Sequence, residues 1–149
     1  MSAASASAGS SSPSLNASTA SADLNASQFN FGGAATITAA GDITTDAGIS
    51  IKTNNDLTFN PNQSAGAAGL KITGDFDIVA TTSNDTVTIA GNIIGVDDTS
   101  NEDITIVAGA SSGTDGGTIT LGGTVGTEIR AVTLTAGTAI NLGGNITTR

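Results

Sequence analysis

From Ala34 onward, apolar and polar residues alternate in short runs, and Gly, Asn or Asp residues separate one run from the next. Alternation with a period of two, rich in β-branched residues and bounded by turn residues, is typical of β-strands. No window has the apolar spacing of an amphipathic helix, so the pattern predicts an all-β chain. The clearest runs are TIT at Ile37, ISIK at Ile49 and Ile51, FDIV at Phe76 and Ile78, ITIV at Ile104 and Ile106, and AVTL at Val132 and Leu134.

Each run places only two or three residues on its apolar side, which is too few for the strands of an ordinary sandwich. Three runs with their turns make a unit of roughly 20 residues, a length typical of repeat architectures. We interpret each run as one side of a triangular coil, with Gly, Asn or Asp at corners that need left-handed backbone conformations. The sequence therefore predicts a single-stranded parallel β-helix, or β-solenoid, of about five or six short coils.

The first part of the chain has a different composition, a run of Ser, Ala and Asn with almost no large apolar residue. Such a segment buries too little apolar surface to offset its ordering entropy. It predicts a low-complexity tail or linker over residues 1–28, which contacts with neighbouring subunits could order. Phe29 and Phe31 alternate as in a short strand, and the β-solenoid is predicted over residues 29–149.

Composition and charge exclude several classes of function. Hydrophobic residues make up 38% of the chain but aromatic residues only 3%, so the predicted core is aliphatic. A net charge of -9, from 13 acidic and 4 basic residues, repels phosphate backbones and predicts no nucleic-acid partner. No run approaches the ~18 apolar residues of a membrane span. The chain has no cysteine and no histidine, which removes disulfides and the commonest general base.

Two segments carry a resemblance to a known family. GDITTDAGISI (41–51) and AVTLTAGTAINLGGNITT (131–148) are similar to the repeats of filamentous-haemagglutinin-like bacterial surface adhesins, which are exported by two-partner secretion. The resemblance extends over residues 34–149. It implies a right-handed parallel β-helix, an extracellular or bacterial cell-surface location, and a glycan or protein of a host or cell surface as partner. The family's secretion domain has no match in the 149 residues, which favours a fragment or a small self-assembling relative.

One acidic segment is a candidate metal site, formed by Asp97, Asp98, Glu102 and Asp103. Carboxylate oxygens are the ligands that Ca²⁺ prefers in proteins. The four residues lack the fixed spacing of a calcium-binding turn, and a solvated turn explains them equally well. The sequence therefore predicts no bound cofactor, with Ca²⁺ as the alternative.

Enzymes also occur on parallel β-helices, among them polysaccharide lyases and hydrolases. A glycosidase needs two placed carboxylates. Asp75 and Asp77 are two residues apart, which places both on the outer side of a strand beside Phe76 and Ile78. The basic residues available to a lyase have no recognisable cluster around them, and we predict no enzymatic activity. They are Lys52, Lys71 and Arg130.

The leading hypothesis is a non-enzymatic structural or adhesive β-solenoid of a bacterial cell surface. The first alternative is a self-assembling extracellular filament subunit, because the open end of a solenoid presents strand edges that template another chain. Ile140, Leu142 and Ile146, inward residues of the last coil, form the predicted assembly edge. The second alternative is a ligand-binding solenoid for glycan, ice or calcium, since outward Thr residues would stack into ladders, although Thr is also a common strand residue.

Overall fold

The computed structural model describes residues 14–17, 22–24, 28–45, 48–61, 68–96, 102–109, 116–126 and 128–149. Within these ranges the structure contains strands and no helix. The strands are β1 (Ser14–Ala17), β2 (Ala22–Leu24), β3 (Gln28–Phe31), β4 (Ala35–Ala39), β5 (Ile43–Thr45), β6 (Ile49–Thr53), β7 (Leu57–Asn60), β8 (Gly69–Ile72), β9 (Phe76–Ala80), β10 (Thr86–Ile89), β11 (Asn92–Gly95), β12 (Glu102–Ala108), β13 (Thr118–Leu121), β14 (Ile129–Ala136) and β15 (Ala139–Leu142).

Successive strands turn from one face of the molecule to the next, and each strand pairs in parallel with the strand one coil away. Face A contains β1, β4, β7, β10, β13 and β15, face B contains β2, β5, β8 and β11, and face C contains β3, β6, β9, β12 and β14. Bridges from Ile93 to Val125 and from Val125 to Ile146 continue face B. The predicted single-stranded parallel β-helix is confirmed, with five coils and two sides of a sixth.

The length of a coil varies while its register is kept. Ser14 lies opposite Thr36, and Thr36 lies opposite Thr58, so the first coils repeat every 22 residues. Later coils are longer, because Thr124 donates its backbone N–H to Asn92 across a separation of 32 residues. Extra residues at a corner leave the paired strands undisturbed, which is why the solenoid accepts coils of unequal length.

The solenoid begins earlier than the sequence predicts. β1 pairs with β4, and β2 pairs with β5, so both strands belong to the first coil although they lie inside the predicted 1–28 tail. That boundary was wrong because the composition argument counted only the apolar surface within the segment. Pairing on the second coil satisfies the backbone groups of β1 and β2, and Leu24 is only 1% exposed. Residues 1–13 lie outside the described residues.

The core consists of inward residues stacked in columns along the axis. On face A, one column runs through Ile37, Phe59, Ile89, Leu121 and Leu142. Between them the outward residues are polar, as the alternation predicts. Burying one such aliphatic side chain completely contributes about 1.5–3 kcal/mol, so the columns supply the main stabilising free energy without disulfides.

Glycines at the corners are explained by close packing of successive coils. Among the described residues, positive φ angles occur at Asn84 (68°) and Gly109 (85°), so the predicted left-handed corners are the exception. A Cβ atom on Gly122 would lie 2.8 Å from the carbonyl oxygen of Ala90, and one on Gly143 would lie 2.5 Å from that of Gly122. The corners need Gly because the backbone of the neighbouring coil occupies the space of a side chain.

Two neighbouring glycines test this explanation. A Cβ atom on Gly123 would lie 2.7 Å from the backbone nitrogen of Asn92, whereas one on Gly126 would meet its nearest atom, the carbonyl oxygen of Ile93, at 3.5 Å. We expect Gly123→Ala to lower the free energy of unfolding by about 1–3 kcal/mol through overpacking. Gly126→Ala should be neutral or stabilising by up to about 1 kcal/mol. Urea unfolding of the two variants measures the difference, and equal effects would contradict the packing explanation.

Candidate assembly edge

The last coil leaves part of the core open. It is formed by β14, β15 and the bridge at Ile146, and we call it the edge coil. Ile140 is 43% exposed and Leu142 is 51% exposed, whereas Ile119 and Leu121, one coil earlier, are 0% and 1% exposed. The side chains belong to the same inward columns, so the difference arises because no described coil covers the second side of the edge coil.

The three residues of the predicted assembly edge all lie in the edge coil. Ile140 and Leu142 come from β15 on face A, and Ile146 comes from face B. Together the edge coil presents an apolar strip that follows all three faces. Half-buried side chains that pack against the core complete the strip, and they are Val132, Leu134, Ala136 and Ile146.

The backbone at the edge coil is also open on one side. β15 is the outermost strand of face A, and β14 is the outermost strand of face C. An outermost strand directs a row of N–H and C=O groups away from its sheet, where they can pair with another strand. Arg149 donates its backbone N–H to the carbonyl oxygen of Ile129 (2.9 Å), which begins a third side. The edge coil therefore combines apolar side chains with strand edges.

The structure does not bring the four predicted calcium ligands together. Glu102 is fully buried on the inner side of β12, and Asp103 follows it on the outer side. Asp97 and Asp98 lie outside the described residues. Within the ranges that the structure describes, no group of three or more acidic, His or Cys side chains is arranged for a metal ion.

Asp103 has a cation of its own. The Arg130 Nε donates to Asp103 Oδ1 at 2.8 Å, and the Arg130 guanidinium also donates to Oδ2, which makes a bidentate pair. The hydrogen bond from Arg130 and its charge lower the pKa of the Asp103 carboxyl below its ordinary value. This pair is solvent-exposed and contributes little to stability, but it occupies both carboxylate oxygens with a guanidinium.

The residues considered for enzyme chemistry lie apart from one another. Lys71 on face B forms an ion pair with Asp42 (Nζ to Oδ2, 2.6 Å). Asp75 accepts the backbone N–H of Asp103 at 3.1 Å, and Asp77 lies on the outer side of β9. Lys52 lines a shallow open groove whose described lining contains no Asp or Glu, so that groove lacks the paired carboxylates of a glycosidase. The other lining residues are Asn30, Phe31, Gly32, Thr53, Asn54 and Thr81.

Several acidic side chains have a role that the sequence reasoning missed, since they bind the backbone of the next coil. Each stands immediately before a strand, and one of its carboxylate oxygens accepts the N–H that opens the strand one coil further on. The sequence signal was available in the repeated Gly or Asn, Asp, apolar order. The pairs are Asp42 with Gly69 (3.0 Å), Asp56 with Thr86 (2.7 Å) and Asp75 with Asp103 (3.1 Å).

Asp85 is an inward-turned member of the same group of corner residues. It is 5% exposed, and its Oδ2 accepts the backbone N–H of Thr82 at 2.8 Å within the turn that contains Asn84. Burial raises the pKa of the Asp85 carboxyl, and the nearby Asp56 charge acts in the same direction. The hydrogen bond explains why the turn keeps an acidic residue at a buried position.

The fold and the edge define the class of this protein as a three-faced parallel β-solenoid with an open apolar end coil. No protein-family model matches the chain, and no curated protein or solved structure shows significant similarity to it. The resemblance to filamentous-haemagglutinin-like repeats therefore stays a prediction. Across the described ranges, no helix is long and apolar enough to cross a membrane.

Proposed function

We propose that this chain is a non-enzymatic structural β-solenoid of a bacterial cell surface, and that its edge coil binds the first coil of a second copy. The observation that carries the proposal is the exposure of Ile140 (43%) and Leu142 (51%) in columns whose members one coil earlier are fully buried. The cell-surface location is supported by the family resemblance, and the end-to-end contact is supported by the geometry of the edge.

The first and last strands of face A match each other. β1 and β15 are both four residues long, and the strands of face A between them are all parallel. Leu15 lies opposite Ile37, which is the first step of the column that ends at Leu142. A second copy placed one strand spacing, about 4.8 Å, beyond β15 would continue this column with its own β1. The head-to-tail contact thus repeats the pairing that already joins the coils.

The contact would improve both components of the edge. Covering Ile140 and Leu142 removes the exposed half of each side chain from water, which contributes about 1 kcal/mol for each. New ladder hydrogen bonds would form along β15 and β14, the outermost strands of faces A and C. Because the two ends of one copy differ, such contacts are heterologous and generate open filaments rather than closed dimers.

Adjacent substitutions on β15 test the end-to-end contact. Leu142→Asp introduces a charge on the inward column of the edge coil, and we expect it to abolish fibres seen by negative-stain electron microscopy. Asn141→Asp adds the same charge on the outer side of the same strand and should leave fibre formation intact. Light scattering after size-exclusion chromatography gives the corresponding masses.

Two outcomes would contradict this proposal. Wild-type protein that stays monomeric at every concentration tested would remove the end-to-end contact. Fibres that form equally well with Leu142→Asp would show that the edge coil is not the contact surface. The non-enzymatic part of the proposal would be overturned by a hydrolysis or elimination activity on polysaccharides that is lost when Asp75 or Asp77 is replaced by Asn.

A further inference from the structure

The outer side of face A is a regular array of threonines. Thr58 lies opposite Thr36 on one side and Thr88 on the other, and Thr88 lies opposite Thr120. Four consecutive strands therefore carry Thr at the same outward position. A second, shorter column beside it pairs Thr86 with Thr118. At the end of the long column, the Asn141 amide donates to the Thr120 hydroxyl at 3.4 Å.

The array is periodic in two directions. Paired strands are about 4.8 Å apart, and outward residues of one strand are about 6.6 Å apart. Thr side chains are stiff at χ1, so their methyl and hydroxyl groups hold the spacing of the backbone. Each hydroxyl both donates and accepts hydrogen bonds. Face A consequently presents a two-dimensional grid of small hydrogen-bonding and apolar groups.

Charge is absent from this grid although the chain carries a net charge of -9. The described strands β4, β7, β10, β13 and β15 contain no charged residue. Their only aromatic side chain, Phe59, is fully buried. In the other described strands the outward charges lie on face B, at Lys71, and on face C, at Lys52, Asp77, Asp103 and Arg130.

These properties narrow the chemistry of a ligand. A surface without charge offers nothing to an ionic ligand, and one without exposed rings lacks the amphipathic platforms that cover the apolar side of a sugar. A rigid grid is complementary to a ligand that is itself neutral, hydrogen-bonding and periodic. Water in a crystal lattice has all three properties. We propose that face A binds ice, with Thr88 and Thr120 at the centre of the binding surface.

The groups of the array would act together on the first layer of water. Methyl groups restrict the orientation of adjacent water molecules, and hydroxyl groups hydrogen-bond to them at positions that the sheet holds constant. Water held in this way costs little further entropy when it joins a growing crystal face. Face A would then attach to the crystal and restrict growth between bound molecules.

The experiment compares ice growth in the presence of the full chain and two matched variants. Thermal hysteresis and the shape of a single ice crystal are measured by cryomicroscopy. Thr88→Tyr places a ring in the middle of face A, between Thr58 and Thr120, and should remove most of the hysteresis. Thr105→Tyr places the same ring on face C, between Asp77 and Thr133, and should retain it. Circular dichroism melts of both variants confirm that each is folded.

The proposal is overturned if the wild-type chain leaves ice growth unchanged, or if Thr105→Tyr loses as much hysteresis as Thr88→Tyr. A pull-down with microcrystalline cellulose tests the competing occupant. Retention on cellulose that Thr88→Tyr abolishes, without an effect on ice, would assign face A to a neutral polysaccharide instead. Leu142→Asp should keep the ice activity of a single molecule, which separates this inference from the end-to-end contact.

Discussion

Replacing Ile78 by Asp is expected to abolish the folded solenoid. Ile78 is 0% exposed at the centre of face C, where it lies between Ile51 of the preceding coil and Ile106 of the following one. The substitution removes an aliphatic side chain from a close-packed column and places a carboxylate where no cation is in reach. An unpaired buried charge costs several kcal/mol, and the lost packing adds to it.

The expected loss for Ile78→Asp exceeds about 4 kcal/mol, a large share of the 5–15 kcal/mol that stabilises a typical domain. The matched control is Val79→Asp, one residue along the same strand, where the side chain points outward and is 37% exposed. That variant should stay folded with a change below about 1 kcal/mol. Circular dichroism and urea unfolding measure both. A folded Ile78→Asp protein would show that the inward register of face C is wrong.

The second large effect is expected for Phe76→Ala. Phe76 on face C and Phe59 on face A are both 0% exposed, and their rings meet edge to face with centroids 5.6 Å apart. Removing a buried ring leaves a cavity that the aliphatic neighbours cannot fill, so we expect a loss of about 3–5 kcal/mol. The ring contact itself should contribute about 0.5–1.5 kcal/mol beyond burial.

A double-mutant cycle with Phe59→Ala measures that contact. The coupling energy should be positive, because each single variant removes the same ring pair. Phe29→Ala provides the comparison within the first coil, where Phe29 stacks on Phe31 at a centroid distance of 6.2 Å. Its loss should be smaller, since a terminal coil packs against a neighbour on one side only. Equal losses for Phe29→Ala and Phe76→Ala would contradict a core that is tightest in the middle coils.

Much of the fold was predictable from local pattern. In β9 and β12 the alternation places Phe76, Ile78, Ile104 and Ile106 inward, as the structure has them. The strand-forming signal is local because successive residues of a strand point to opposite sides, whatever the strand packs against. The same reasoning identified the inward residues of the edge coil, and it would apply to any coil of this length.

The start of the solenoid was not predictable in the same way. β1 and β2 are rich in small and polar residues, and they are strands because the second coil offers them backbone partners 21 and 22 residues further along. The role of Asp42, Asp56 and Asp75 was missed for a related reason. A carboxylate before a strand suggests a turn, but only the stacked coil shows which N–H it accepts.

The candidate surfaces depend still more on the stacking. TIT and TVT are ordinary strand segments in the sequence, and they become a charge-free grid only when equal registers bring Thr36, Thr58, Thr88 and Thr120 into one column. Their separations along the chain are unequal, since Thr36 and Thr58 are 22 residues apart and Thr58 and Thr88 are 30 apart. No fixed period in the sequence would have aligned them.

The sequence by itself determined that the chain is all-β, which side chains point inward, and that the core is aliphatic. Those properties follow from alternation and composition, which act over neighbouring residues. The tertiary structure alone decided where the first coil begins, which corners need glycine, which carboxylates bind the next coil, and which face is free of charge. Each of those depends on contacts between coils 21 to 32 residues apart, and corner loops of unequal length set that separation.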